Sequence, residues 1–165
     1  DYKVKKRMRV TDIVYHIKGY MTDKTLLVVL TGGELLAQNA EELYTLAKYL
    51  NDRNIPVQVE TNGTKSLGKA RGMFETIVVL PQEAIKKWKK ERGWVDAVKL
   101  LYPPISPSLK PENVHTQLGR YHGIKYYLQP VDGVKGSLKR TITKVKKLGW
   151  PWRLGLQQHK MIGER

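Results

Sequence analysis

The sequence contains no cysteine. A disulfide framework, a thiolate metal site and a cysteine nucleophile are therefore excluded for these 165 residues. Long hydrophobic runs are missing too. No stretch approaches the ~20 consecutive apolar residues of a membrane-crossing helix. Residues 1–20 are basic and lack the apolar centre of a secretory leader, so a soluble, cytoplasmic protein with no membrane partner is expected. Acidic residues are scarce: 15 Asp and Glu face 30 Lys and Arg, a net charge of +15. That balance predicts a surface that attracts anions, nucleic acid included. Much of the charge falls in helical patterns, Lys86, Lys87, Lys89 and Lys90, then Lys139, Lys144, Lys146 and Lys147, and reads as solvated helix faces. The four Trp and nine Tyr are scattered rather than interleaved with the basic runs. No aromatic RNA-binding strand is present. His16, His115, His122 and His159 are isolated, so neither a His-rich metal motif nor a serine–histidine–acid triad is expected.

What the chain does have is a core. Hydrophobic residues make up 41%, and one domain spanning 1–165 is the default. It is short for a complete eight-unit α/β barrel of ~250 residues. The organising stretch is Leu26 to Glu34, an apolar, partly β-branched run that reads as a buried strand ending in Gly32-Gly33-Glu34. Two adjacent glycines permit positive φ and a close backbone approach to a ligand.

Taken in order, Val10, Ile13, Val14 and Ile17 carry helical spacing, with Gly19 expected to close the helix. A second helix is predicted over 40–53, capped by Asn39, with Leu43, Leu46, Ala47 and Leu50 inward. Val57 to Asn62 alternates cleanly, Val57 and Val59 against Gln58, Glu60 and Asn62, and Asn62-Gly63 turns. A strand over 74–80 stops at Pro81. A basic helix follows over 82–92, then a strand over 95–102. The proline-rich segment 103–117 reads as a loop. A strand over 124–130, a helix over 137–148 with Ile142, Val145 and Leu148 buried, and a strand over 152–159 complete the chain.

Strands alternate with helices at βαβ spacing, which argues a parallel sheet. Three strands carry a polar face that reaches their carboxyl ends. A partial, open β/α barrel whose lumen is wet explains this better than a doubly wound sheet covered on both faces. The strand ends Thr31–Glu34, Glu60–Thr64, Leu80–Gln82, Gln129–Asp132 and Gln157–Lys160 would then converge on one rim, suited to a polar, multiply hydrogen-bonded ligand.

Thr31-Gly32-Gly33-Glu34 resembles the Gly-Gly-Glu motif that binds S-adenosyl-L-methionine (SAM) in the radical SAM superfamily. Glu60-Thr61-Asn62-Gly63-Thr64, Leu128-Gln129-Pro130-Val131-Asp132-Gly133 and the Gln157-Gln158-His159-Lys160 ending resemble, in order and spacing, the 7-carboxy-7-deazaguanine synthase family within it. The resemblance implies a carbon–nitrogen lyase. It would use SAM, a [4Fe-4S] cluster and Mg²⁺ to turn 6-carboxy-5,6,7,8-tetrahydropterin into 7-carboxy-7-deazaguanine, on the queuosine or archaeosine route to modified tRNA. It implies a reductant such as flavodoxin or ferredoxin, and a possible homodimer.

By the family pattern the substrate side is Thr31, Glu60, Asn62, Gln157 and His159. Gly32, Gly33, Glu34, Leu80, Pro81, Gln82, Gln129, Pro130, Val131 and Asp132 would line SAM. A further expectation is that the carboxylate of Arg165 folds into the substrate site.

The sequence departs from the pattern in four places. The family's three cluster cysteines have no counterpart, so the first strand, the cluster loop and the Mg²⁺ ligand are expected upstream of Asp1, and the sequence is expected to be a fragment, inactive without them. Leu35 stands where Pro is usual. Leu80 and Gln82 replace Ser and Lys in the Ser-Pro-Lys contact. The alternative expectations are a cluster-less homologue acting as a basic nucleic-acid-binding module, and another radical SAM activase.

Overall fold

Asn39 shows how local chemistry sets the frame. Its side-chain oxygen accepts from the backbone N–H groups of Glu41 (2.8 Å) and Glu42 (3.4 Å), and helix α2, Ala40–Asn51, starts there. Leu43, Leu46, Ala47 and Leu50 form its buried stripe, as their spacing predicts. The structure, a computed structural model, describes residues 8–22, 24, 27–82, 94–119 and 123–156. The basic helix expected over 82–92 lies, beyond Gln82, outside the described residues, as do Leu26 and residues 157–159 of the expected first and last strands.

The strands are β1 (Val28–Leu30), β2 (Val57–Thr61), β3 (Thr76–Val79), β4 (Ala97–Tyr102), β5 (Lys125–Pro130) and β6 (Trp152–Leu154). Their order in the sheet follows the chain order, β1 to β6, and the sheet is open. Two compact units can be separated, residues 1–61 with 65–77, and residues 62–64 with 78–165.

In the first unit β1 lies parallel to β2, Val28 opposite Val57 and Leu30 opposite Val59. Burial along β2 alternates: Val57, Val59 and Thr61 are buried, Gln58 and Glu60 half-buried. β1 is less covered than its apolar run suggests, with Val29 43% exposed. Successive side chains leave a strand on opposite faces, and a helical layer covers only one of them. Helix α1, Val10–Tyr20, packs on α2 with half-buried Val10, Ile13, Val14 and Ile17. It runs through Gly19 rather than ending there. Asn51 at the end of α2 donates to the Met73 carbonyl (2.8 Å), which ties the helix to a short 3₁₀ run, Gly68–Met73.

In the second unit β4 and β5 pair over their whole length, from Ala97 opposite Lys125 to Tyr102 opposite Pro130, and β6 adds to β5. The expected loop over 103–117 contains helix α3, Pro111–Leu118. Pro111 occupies the first helical turn, where a missing N–H costs nothing, and Val114 and Leu118, four residues apart, are buried. The proline read as a breaker is a helix start. Helix α4, Ser137–Leu148, buries Ser137 and Thr141, while Ile142, Val145 and Leu148 are only half-buried. The Ser137 hydroxyl donates to the Tyr102 carbonyl at 3.1 Å, and the Thr141 hydroxyl, which donates to the Ser137 carbonyl at 2.8 Å, lies 3.4 Å from the same Tyr102 oxygen. Small hydroxyl side chains let the helix start sit against the end of β4, and the larger residues then flank the contact.

Candidate functional site

The first unit's site is built where β1 stops. Thr31 follows the last strand residue, and Gly32 and Gly33 then take φ of 98° and 58°. Those values belong to the region that L side chains avoid, and a glycine pair reaches it without strain. No atom lies within 4 Å of the place where a Cβ would stand on either residue. The turn is therefore bare backbone facing open space, a cradle that any side chain would fill.

Glu34 closes the turn. Its carboxylate accepts from the Thr61 hydroxyl at 2.7 Å and from the Leu36 backbone N–H at 2.9 Å, and Leu36 belongs to a 3₁₀ turn, Leu35–Ala37, that Glu34 caps. Thr61 is 4% exposed. The Glu34 side chain thus pins the turn to the end of β2. The charge on the acceptor makes this the strong kind of hydrogen bond.

Beside the turn lies a polar row. The Thr31 hydroxyl donates to Glu60 Oε2 at 3.3 Å, and the Gln58 amide donates to Glu60 Oε1 at 3.2 Å. Gln58 and Glu60 share one face of β2 because they are two residues apart. Gln58 carries the role that sequence reading left unassigned, that of holding Glu60. Its signal was the i, i+2 spacing itself.

In the second unit, Asn62 is occupied by its own turn. Its Oδ1 accepts from the Thr64 N–H (2.8 Å) and hydroxyl (2.6 Å). Leu80, buried Pro81 and exposed Gln82 follow β3. Gln129 (6% exposed) and Pro130 end β5, opposite Leu101 and Tyr102 of β4. The Val131 N–H donates to the Tyr102 carbonyl at 3.3 Å, and Asp132 is exposed in the next turn. Gly155 after β6 donates to the Leu128 carbonyl at 2.7 Å. A Cβ there would meet Tyr127 Cβ at 3.4 Å and Gln129 Cβ at 3.7 Å, so the small residue lets this segment sit against Gln129. Gln157, His159 and Arg165 lie outside the described residues.

The implied cofactors fare differently. The glycine turn suits the amino-acid end of SAM, which needs open backbone donors and acceptors. The [4Fe-4S] cluster does not fit this chain: there is no cysteine, and no group of three or more His, Asp or Glu gathers as a metal site among the described residues. Among the described residues no helix is long and apolar enough to cross a membrane.

No family model matches the sequence, and no curated sequence is similar to it. The fold is matched by the crystal structure of QueE from Escherichia coli, with a TM-score of 0.64 and 19% identity, over 94% of this chain and 69% of that chain. At such identity the likeness is one of fold. The chain has the partial, open α/β barrel fold of that structure.

Proposed function

We propose that the chain binds SAM at the Gly32-Gly33 turn and a pterin beside Glu60. It would do so within an enzyme that makes 7-carboxy-7-deazaguanine from 6-carboxy-5,6,7,8-tetrahydropterin. The observation that carries this reading is the Thr31–Glu60–Gln58 row set next to the bare glycine turn. The fold shared with QueE, a 7-carboxy-7-deazaguanine synthase, supports it, as do the motifs of the sequence.

On this reading SAM supplies, when bound, the 5′-deoxyadenosyl group that abstracts hydrogen in this superfamily. The chain's own residues bind and orient. Glu60 accepts from the amine and ring N–H edge of the pterin, and a carboxylate matches that two-donor edge. Gln58 holds Glu60 in place, and Thr31 donates beside it. A ligand lacking the N–H edge would forgo these charge-assisted hydrogen bonds and bind more weakly on that account. The iron–sulfur cluster finds no ligand in this chain, and no step is derived through it.

Isothermal titration with SAM and with the pterin tests the reading. Gly33→Val is expected to weaken SAM at least about tenfold and to leave the pterin unchanged. Glu60→Gln is expected to weaken the pterin about tenfold or more, the loss of a charged hydrogen-bond acceptor, and to leave SAM unchanged. Absence of SAM binding to the folded wild-type chain, or a pterin affinity indifferent to Glu60→Gln, overturns it.

A further inference from the structure

The charge excess is not spread evenly. Between Asp132 and Leu156 the sequence has no carboxylate at all, while α4 alone carries Lys139, Arg140, Lys144, Lys146 and Lys147. Lys144 is accounted for: it is half-buried and paired with Glu112. Lys139, Arg140, Lys146 and Lys147 are exposed, and none of them pairs with an acid among the described residues. At 100° per residue Lys139 and Lys146 fall opposite Ser137 and Thr141, with Lys147 and Arg140 together on one flank. The inner arc is committed to β4, β5 and β6. The outer arc carries these cations with Thr143 between them, and no acid. A helix that lies in a membrane needs its apolar face free, and here that face is used.

A second feature sits at the end of the same helix. Gly149, with φ 67°, ends α4, and Trp150 beyond it is 90% exposed. Its ring has no ring or cation partner among the described residues. Burying an indole is strongly favourable, so a fully displayed one marks a surface built to stack on something. From Lys139 to Leu148 the helix rise of ~1.5 Å per residue gives ~14 Å, long enough to follow two or more nucleotides. Cations that track a backbone plus an aromatic platform are the two parts of a single-strand binding surface.

We propose that the outer face of α4, with Trp150 at its end, binds single-stranded RNA, its lysines on phosphates and the indole on an unpaired base. RNA is the occupant the chemistry favours because unpaired, splayed bases are what RNA loops display. The proposal does not depend on how the glycine-turn site is read.

Fluorescence anisotropy decides it. The probes are a labelled 16-nucleotide single-stranded RNA, the same RNA annealed to its complement, and vesicles of 30% phosphatidylserine in phosphatidylcholine, read at several salt concentrations. The single strand is expected to bind more tightly than the duplex. The triple variant Lys139→Glu/Lys146→Glu/Lys147→Glu should weaken it about a hundredfold and flatten the salt slope by about 2, at ~0.7 per phosphate contact. Trp150→Ala should weaken the single strand about tenfold, the worth of one stacked base, and leave the duplex unchanged. Both variants should keep the wild-type melting temperature and SAM affinity. Should the triple variant misfold, Lys146→Gln and Trp150→Ala decide alone. Equal affinity for single strand and duplex with no effect of Trp150→Ala overturns the proposal, and so does binding to vesicles in place of RNA.

Discussion

The carboxyl ends of β1 and β4 use similar chemistry to opposite effect. At β4 the Tyr102 carbonyl is closed off. It accepts from Ser137 and the Val131 N–H at 3.1 and 3.3 Å, with the Thr141 hydroxyl 3.4 Å away. Every donor comes from the chain's own return past β5. At β1 the strand end is held open. Glu34 reaches across to Thr61 and pins the turn from one side, and Gly32 and Gly33 are left with open space on the other. One end is finished by its own helix, while the other is braced on one side and left open on the other. The difference shows that the polar residues at a strand end do not announce a site by themselves. What matters is whether their partners are spent on closing the fold or on holding a gap.

The comparison can be broken from its most rigid point outward. Leu128, fully buried in β5 beside the closed end, should cost about 2–5 kcal/mol when changed to Ala, read as a fall in the midpoint of chemical denaturation, with the pterin affinity of any folded fraction unchanged. Glu34→Ala removes the brace of the open end. A loss of about 1–3 kcal/mol is expected, together with weaker SAM binding in titration, because the turn is no longer pinned. Gly33→Ala forces a Cβ into φ 58° and should cost about 1–2 kcal/mol. Unlike Glu34→Ala, it should also obstruct the cradle directly, which SAM titration at equal folded fraction will separate.

Thr141→Val keeps the shape at the closed end and deletes its hydroxyl. About 1 kcal/mol is expected by thermal melting, with no change in SAM or pterin binding. The smallest effect lies on the surface. The Glu112 carboxyl is held below its usual range by the hydrogen bond from Lys144. Its folded-state value is depressed, so the stabilisation is present above about pH 4.5 and is lost as the pH falls through that lowered value. Glu112 is exposed, so Glu112→Gln should cost only about 0.2–1 kcal/mol at pH 7, a difference that shrinks in melts as the pH is lowered through that value and in high salt.

Much of this could be read from the residues. The apolar spacing of Leu43, Leu46, Ala47 and Leu50 located α2 and its buried stripe, and the alternation from Val57 to Thr61 placed Glu60 on the polar face of β2. Helix α3 was hidden because a proline cluster marks a breaker and a helix start with the same residues; only Val114 and Leu118, four apart, tell them apart. The misplaced stripe of α4 has a different cause. Hydropathy ranks Ile142 and Val145 above Thr141, and it has no knowledge of a carbonyl waiting at the end of β4.

The sequence by itself determined the alternation of strands and helices, the parallel open sheet, the glycine turn and the excess of positive charge. These follow from periodicity, backbone freedom and composition, which act over a few residues. Only the tertiary structure decided that Glu34 serves the fold and Glu60 the open face, that Tyr102 is sealed, and that α4 shows Lys139, Lys146 and Lys147 outward and is followed by an exposed Trp150. Each of those depends on which donor meets which acceptor across residues far apart in the chain, a matter of distance in space that local pattern does not carry.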